Sequence, residues 1–425
     1  MTPDQRAGHG QRVDEAAART LLAHLGAALV GAGQPVHEVE DDVAEVSTAL
    51  GFPDLQIAAA PTGVTLSLFV GSPSTFVANP GSLRLDQASD VREIRHLLVR
   101  GRLDAATAQA KLLALRDQPP RHSTWLANIG WVICATGIAL ILQPMWSSVA
   151  IATIGGIAVV ALVRLTQRFT RMAALLPVLA AFVVACLVFV AARQGWVEAP
   201  LRTLLAPLAV LLPGALLVTA MAELVAGHMV AGTSRLGYGL VQVLLFTLGI
   251  AAAAKLFPLD ATQLGNVRID QIGWYAAPLG LVLVTLAIGL LESPPPRLLP
   301  WIFVVLLAAF FAQVLGQHLG GAVGGALLGA MVATLGSHAV ELVVPRLARL
   351  VVFLPSFWLL VPGSLGVLAA TQVAVDPEAH ADVLGVVAIV AALALGLLLG
   401  SAIAQAIGGL LRKQHARRPS RRSGS

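Results

Sequence analysis

The stretch Met172–Ala192, MAALLPVLAAFVVACLVFVAA, runs for 21 residues without a charge. As a helix it would be about 31 Å long at 1.5 Å per residue, close to the thickness of a bilayer's hydrocarbon core. Comparable stretches follow one another at 125–142, 147–163, 172–192, 201–222, 237–257, 274–291, 298–316, 320–340, 350–371 and 383–410. They predict a polytopic α-helical membrane protein with ten transmembrane helices. Charged residues make up 12% of the chain and apolar residues 57%. A soluble α/β enzyme would need roughly 25% charge to cover its surface, so that class is excluded.

Residues 1–123 differ in composition, holding 14 of the 23 acidic but only 11 of the 28 basic residues. The net positive charge therefore belongs to the loops and tail of the apolar part and does not point to nucleic acid. With residues 1–123 placed in the cytoplasm, the inside connections carry thirteen basic residues, Arg235 among them, against four outside. This bias expects both termini in the cytoplasm. Cys134 and Cys186 both fall inside predicted spans, so no disulfide, metal site or cofactor is expected. No cleavable signal peptide is visible ahead of the first span.

The first 123 residues read as a small cytoplasmic α+β domain. Val13, Ala17, Leu21, Leu25, Ala28 and Leu29 recur at helical spacing, and a helix packed within the domain is preferred to one lying on the bilayer. Val36 to Leu50 forms a second helix that ends at Gly51 and Pro53. Ile57–Ala60 and Val64–Val70 read as strands joined by Pro61-Thr62-Gly63. Asp90 with Glu93 resembles a capping box that opens a helix ending at Gly101, and Asp104 caps another running to about Arg116. His37, Glu40 and Asp41 fall within about one turn of the second helix, where an imidazole and an acid can share a face and hold a metal or a proton. An acidic helix surface with one histidine explains the same residues.

The apolar part contains an internal likeness. Leu212-Pro213-Gly214 and Val361-Pro362-Gly363-Ser364 stand 149 positions apart, and the same offset carries Trp125 onto Trp274. Five crossings per copy is an odd number, so the copies would be two inverted five-helix repeats, at 124–273 and 274–410, followed by a basic tail at 411–425. Inverted repeats suit a carrier that exposes one site to each side in turn. Proline lacks an amide donor and glycine allows a bend, so each Pro-Gly would break a helix and free backbone groups for cargo. Pro213, Gly214, Thr219, Pro362, Gly363 and Ser364 are the substrate-binding candidates. Glu223, His338 and Glu341 are the proton-coupling candidates, since an acid within the membrane is costly unless it serves a purpose. Gly320, Gly321, Gly324, Gly325 and Gly329 form a small-residue seam in the eighth span.

Gly33-Gln34-Pro35-Val36-His37-Glu38-Val39-Glu40-Asp41, Pro61-Thr62-Gly63 and the two Pro-Gly strings together resemble the threonine/serine exporter family over residues 15–410. The resemblance implies a bacterial inner-membrane exporter of small hydroxylated amino acids, threonine and serine, working as a proton antiporter. Its transported species would be these amino acids and protons, with membrane lipids as neighbours and a homo-oligomer left open. It also lends weight to His37, Glu40 and Asp41 without giving them a reaction. The family pattern favours an aspartate or arginine-like residue soon after the first Pro-Gly, where this chain has Thr219 and Glu223. In some related systems the membrane halves are separate chains. Two other functions fit the bare residues: a membrane-bound hydrolase built on the first domain, and a non-transporting sensor or scaffold.

Overall fold

The computed structural model describes residues 14–259, 268–343 and 383–416. The chain divides into two compact units, the first ending at Pro119.

In the first unit, the Asp14 carboxylate accepts from the Ala17 amide and opens α1 (Glu15–Gly31). Gly33, at φ +89°, takes the left-handed turn after it. Pro35 then opens α2 (Val36–Ala49). Three antiparallel strands follow in the order β1 (Gln56–Ala60), β2 (Gly63–Ser67), β3 (Thr75–Ala78). Ala60 pairs with Gly63, so Pro61 and Thr62 form the turn. A β-carbon at Gly63 would sit 2.6 Å from the Val77 carbonyl oxygen, which is why glycine occupies this position. Helices α3 (Leu85–Val99) and α4 (Ala105–Ala114) complete the unit. Asp104 caps α4 by accepting from the Thr107 amide, and hydrogen bonds from the Thr107 hydroxyl and amide hold its carboxyl below the usual range.

Leu21, Leu22 and Leu25 of α1 are fully buried with Val39, Val43 and Val46 of α2, Val64 of β2 and Val91 of α3. Burial of each such side chain contributes about 1.5–3 kcal/mol. α1 is thus a core helix and not a bilayer-surface one. Two local expectations are corrected. Asp90 lies inside α3, which begins five residues earlier at Leu85. The second strand stops at Ser67, and β3 was not foreseen.

The second unit is helical, with α5 (Thr124–Leu142), α6 (Trp146–Arg168), α7 (Leu176–Arg193), α8 (Pro200–Leu208), α9 (Gly214–Val225), α10 (Met229–Leu256), α11 (Ala276–Glu292), α12 (Leu299–Val343) and α13 (Val383–Ala416). Among the described residues, six helices are long and apolar enough to cross a membrane, not ten. The expected fourth span is split by Pro213 into α8 and α9, and the sixth, α11, has 17 residues. The seventh and eighth run together as α12. The ninth, 350–371, lies outside the described residues. The chain is a polytopic α-helical membrane protein with a small β-containing amino-terminal domain.

α12 is not one straight rod. Gly320 and Gly321 leave helical geometry, Gly321 at φ +61° and ψ −156°. Beyond them the chain doubles back: a β-carbon on Gly336 would lie 3.1 Å from Val305, and one on Gly325 would lie 2.9 Å from the Gln313 carbonyl oxygen. The predicted boundary between spans seven and eight, 316 to 320, falls at this reversal. Here the glycine seam is the reversal itself, where a side chain would obstruct the fold-back.

Glycines also set the closest helix contacts elsewhere. Gly137 of α5 and Gly280 of α11 each face the other's carbonyl oxygen. Gly249 of α10 sits against α7, where its missing β-carbon would meet the Val178 carbonyl, the Ala181 β-carbon at 2.9 Å and the Phe182 amide at 2.9 Å. Gly396 of α13 sits against the second arm of α12 in the same way, facing the Leu327 carbonyl, the Ala330 β-carbon at 3.0 Å and the Met331 amide at 3.1 Å. Val178, Ala181 and Phe182 are each 149 positions before Leu327, Ala330 and Met331. One seat therefore occurs twice, with the same three backbone and Cβ atoms. Between the halves, Val218 of α9 is fully buried against Ala326 and Ala330 of α12 and Ile389 and Leu393 of α13. Trp125, Trp146, Trp196 and Trp274 are exposed near helix ends, as expected of side chains at a membrane interface.

Candidate functional site

The break at Pro213 is where a helix interior would otherwise be. α8 closes with the Leu211 and Leu212 amides donating to the Leu208 carbonyl at 2.8 and 3.2 Å. Pro213 then takes φ −78° and ψ 34° and opens α9 without a side-chain cap. Pro213 and Gly214 are both buried, and Thr219 is half-buried one turn further along α9. A helix start without a side-chain cap presents amides and a positive dipole end, suited to a carboxylate. Pro362, Gly363 and Ser364, the other expected break, lie outside the described residues.

Glu223 is fully buried in the last turn of α9. Helix carbonyls make that position unfavourable for an anion. Its compensation comes from α10, where the Arg235 Nε stands 3.2 Å from Oε2; the two side chains are 0% and 10% exposed. The helices approach closely because Gly232 of α10 leaves room for Ala220 and Leu224. Arg235 is thus a helix residue, not the cytoplasmic connection residue that the charge count took it for. Truncating one partner of such a pair costs about 3–5 kcal/mol. The Arg235 Nη2 is buried and has no acceptor among the described residues. The apolar run begins at 237, eight residues after the helix itself begins at Met229, so the run alone leaves Arg235 outside the span; a basic residue just ahead of an apolar run is the signal the sequence offers.

His338 and Glu341 are half-buried on adjacent turns of the second arm of α12. His338 Nδ1 lies 2.9 Å from the Thr334 carbonyl oxygen, and the buried Ser337 hydroxyl donates to the Ala333 carbonyl.

In the first unit His37, Glu40 and Asp41 all stand on α2. The Glu40 carboxylate accepts from the Ala59 amide at 2.9 Å and ties α2 to β1, while Asp41 is exposed and His37 is half-buried. The acid at the centre of a network is their neighbour Asp42. It accepts from Gln34 at 3.0 Å and Arg92 at 2.9 Å and pairs with Arg95 at 2.8 Å; Arg95 also pairs with Glu45. Burial raises the Asp42 carboxyl above its ordinary range, and the two arginines and Gln34 oppose that rise. Among the described residues no group of His, Cys, Asp and Glu could hold a metal ion.

The family model ThrE, described as "Putative threonine/serine exporter", matches residues 20–257. The match runs from α1 to the connection after α10 and covers more than half of the chain. This chain belongs to the threonine/serine exporter family, a family of transporters and not of enzymes. No curated protein and no solved structure matches it.

Proposed function

We propose that the protein exports threonine and serine from the bacterial cytoplasm across the inner membrane in exchange for protons. Family membership supports transport of small polar amino acids, and the buried helix break at Pro213–Gly214 is the observation that carries the binding site. In this reading ten crossings form two inverted repeats, 124–273 and 274–410, behind a cytoplasmic domain at 1–123 and ahead of a basic tail at 411–425. The twice-occurring glycine seat, Gly249 on Val178 and Gly396 on Leu327, supports the duplication. Substrate enters from the cytoplasm, binds between the break at Pro213, Gly214 and Thr219 and its counterpart at Pro362, Gly363 and Ser364, and leaves as the repeats exchange exposure.

Glu223 is the first candidate to carry the returning proton, with His338 and Glu341 behind it. The elements packed against α9 bring Arg235 and Lys255 from α10 and His318, His338 and Glu341 from α12, while residues 383–411 of α13 bring no charge. His37, Glu40 and Asp41 are proposed as a regulatory surface of the first domain, with Glu40 fixing the helix that carries it.

The test is flux in reconstituted vesicles. Threonine and serine should move in response to an imposed pH gradient, and Glu223→Gln should uncouple that movement from pH. Correctly folded and oriented protein that moves no small amino acid would sink the proposal.

A further inference from the structure

We propose that Glu223 and Arg235 together form a receptor for a zwitterionic α-amino acid, with Arg235 taking its carboxylate and Glu223 its ammonium. The assignment rests on the transport reading above and gives it a second station, some nine residues, or about 13 Å of helix, beyond the break at Gly214.

Three observations carry it. Both charges are buried, Glu223 completely and Arg235 to nine-tenths, beside the apolar clusters that Leu217 and Val218 of the same helix join. Glu223 stands in the last turn of its helix, a position that offers an anion no help from the backbone, so helix stability does not account for an acid there. Arg235 faces Glu223 through its Nε as an ion pair, and its Nε and Nη2 are both buried with no hydrogen-bond acceptor among the described residues. A buried guanidinium edge with a spare donor favours a planar carboxylate, for which its fork geometry is matched.

The pair also selects for net charge. When it opens, each member must find a new partner at once, because an unpaired buried charge is costly. A zwitterion supplies both partners in one small molecule. An ion of one sign would supply only one of the two.

The experiment is titration calorimetry on the purified full chain with three probes: L-threonine, L-threoninamide, which lacks the carboxylate, and N-acetyl-L-threonine, which lacks the ammonium. Wild type should prefer threonine to each analogue by about tenfold or more. Arg235→Gln should lose or reverse the preference over threoninamide while keeping that over N-acetylthreonine; Glu223→Gln should do the converse. The double variant Glu223→Gln with Arg235→Gln, which leaves no lone charge and serves if a single variant fails to fold, should lose both preferences. If threonine binds and is transported but the variants keep the wild-type ranking, the receptor assignment falls and the transport reading stands. If wild type neither binds nor moves threonine, both fall.

Discussion

Gly249 of α10 rests on the backbone of Val178 in α7, and no β-carbon fits between them. The same relationship between Gly396 and Leu327 makes the two positions a matched pair. Gly249→Val and Gly396→Val should each disrupt packing by about 1–3 kcal/mol or more, since the obstacle is a backbone carbonyl that cannot rotate away. Gly237, also in α10, has nothing within 4 Å of its missing β-carbon. Gly237→Ala should be neutral or stabilising, up to about 1 kcal/mol from helix propensity. Thermal unfolding in detergent ranks the three, and equal tolerance would remove the special status of the two seats.

The reversal in α12 can be tested by cross-linking. A β-carbon on Gly336 would lie 3.7 Å from that of Val305, within the range a disulfide spans. In a straight helix these positions, 31 residues apart, would be separated by about 46 Å. Val305→Cys with Gly336→Cys, with Cys134 and Cys186 replaced, should oxidise within one chain and shift its mobility on a non-reducing gel. Failure to form the bond would argue for a continuous rod.

Glu40 separates structure from chemistry in the first domain. Glu40→Ala removes the acceptor for the Ala59 amide and should cost about 1.5–3 kcal/mol, the range for a hydrogen bond to a charged group. Glu40→Gln keeps a carbonyl there and should recover most of that stability together with full flux. Intact folding with abolished flux in the glutamine variant would instead make the carboxylate itself functional.

Asp42 gives a pH dependence with a definite sign. Its folded-state carboxyl titrates above the ordinary value. Its contribution is therefore fully present below the ordinary carboxylate range and is lost as pH rises through the raised value. Arg92 and Arg95 limit that loss. Arg92→Ala should thus be more destabilising at pH 7 than at pH 4, by up to about 3–5 kcal/mol where the carboxylate must be buried charged. Unfolding of the amino-terminal unit at the two pH values measures the difference; an equal cost at both would show that Arg92 acts through packing alone.

Much of the membrane unit could be read directly because an apolar run of bilayer length has few other uses. Met172–Ala192 and its neighbours located α5, α6, α7, α10 and α13, and Pro213-Gly214 located the break. What composition could not reveal was connection: helical spacing says that Gly320 and Gly321 are small, not that the chain turns back there. Partnership was equally hidden. Arg235 and Glu223 are twelve positions apart, and only the close approach of α9 and α10 allowed by Gly232 brings them together. In the first domain, Asp104 announced a helix start because a free carboxylate before Ala105 has one obvious use. Asp90 has the same signature but is overruled by the helix already running from Leu85. Thr75–Ala78, four residues long, is too short for alternation to show.

The burial of Val218 among side chains of α12 and α13 means that neither half of the membrane unit completes its own apolar surface. Severing the chain ahead of α11 would therefore yield two polypeptides with complementary scars. Co-expressed, they should find one another in the bilayer and restore what either fragment lacks alone. A charged residue in place of Val218 should abolish that complementation.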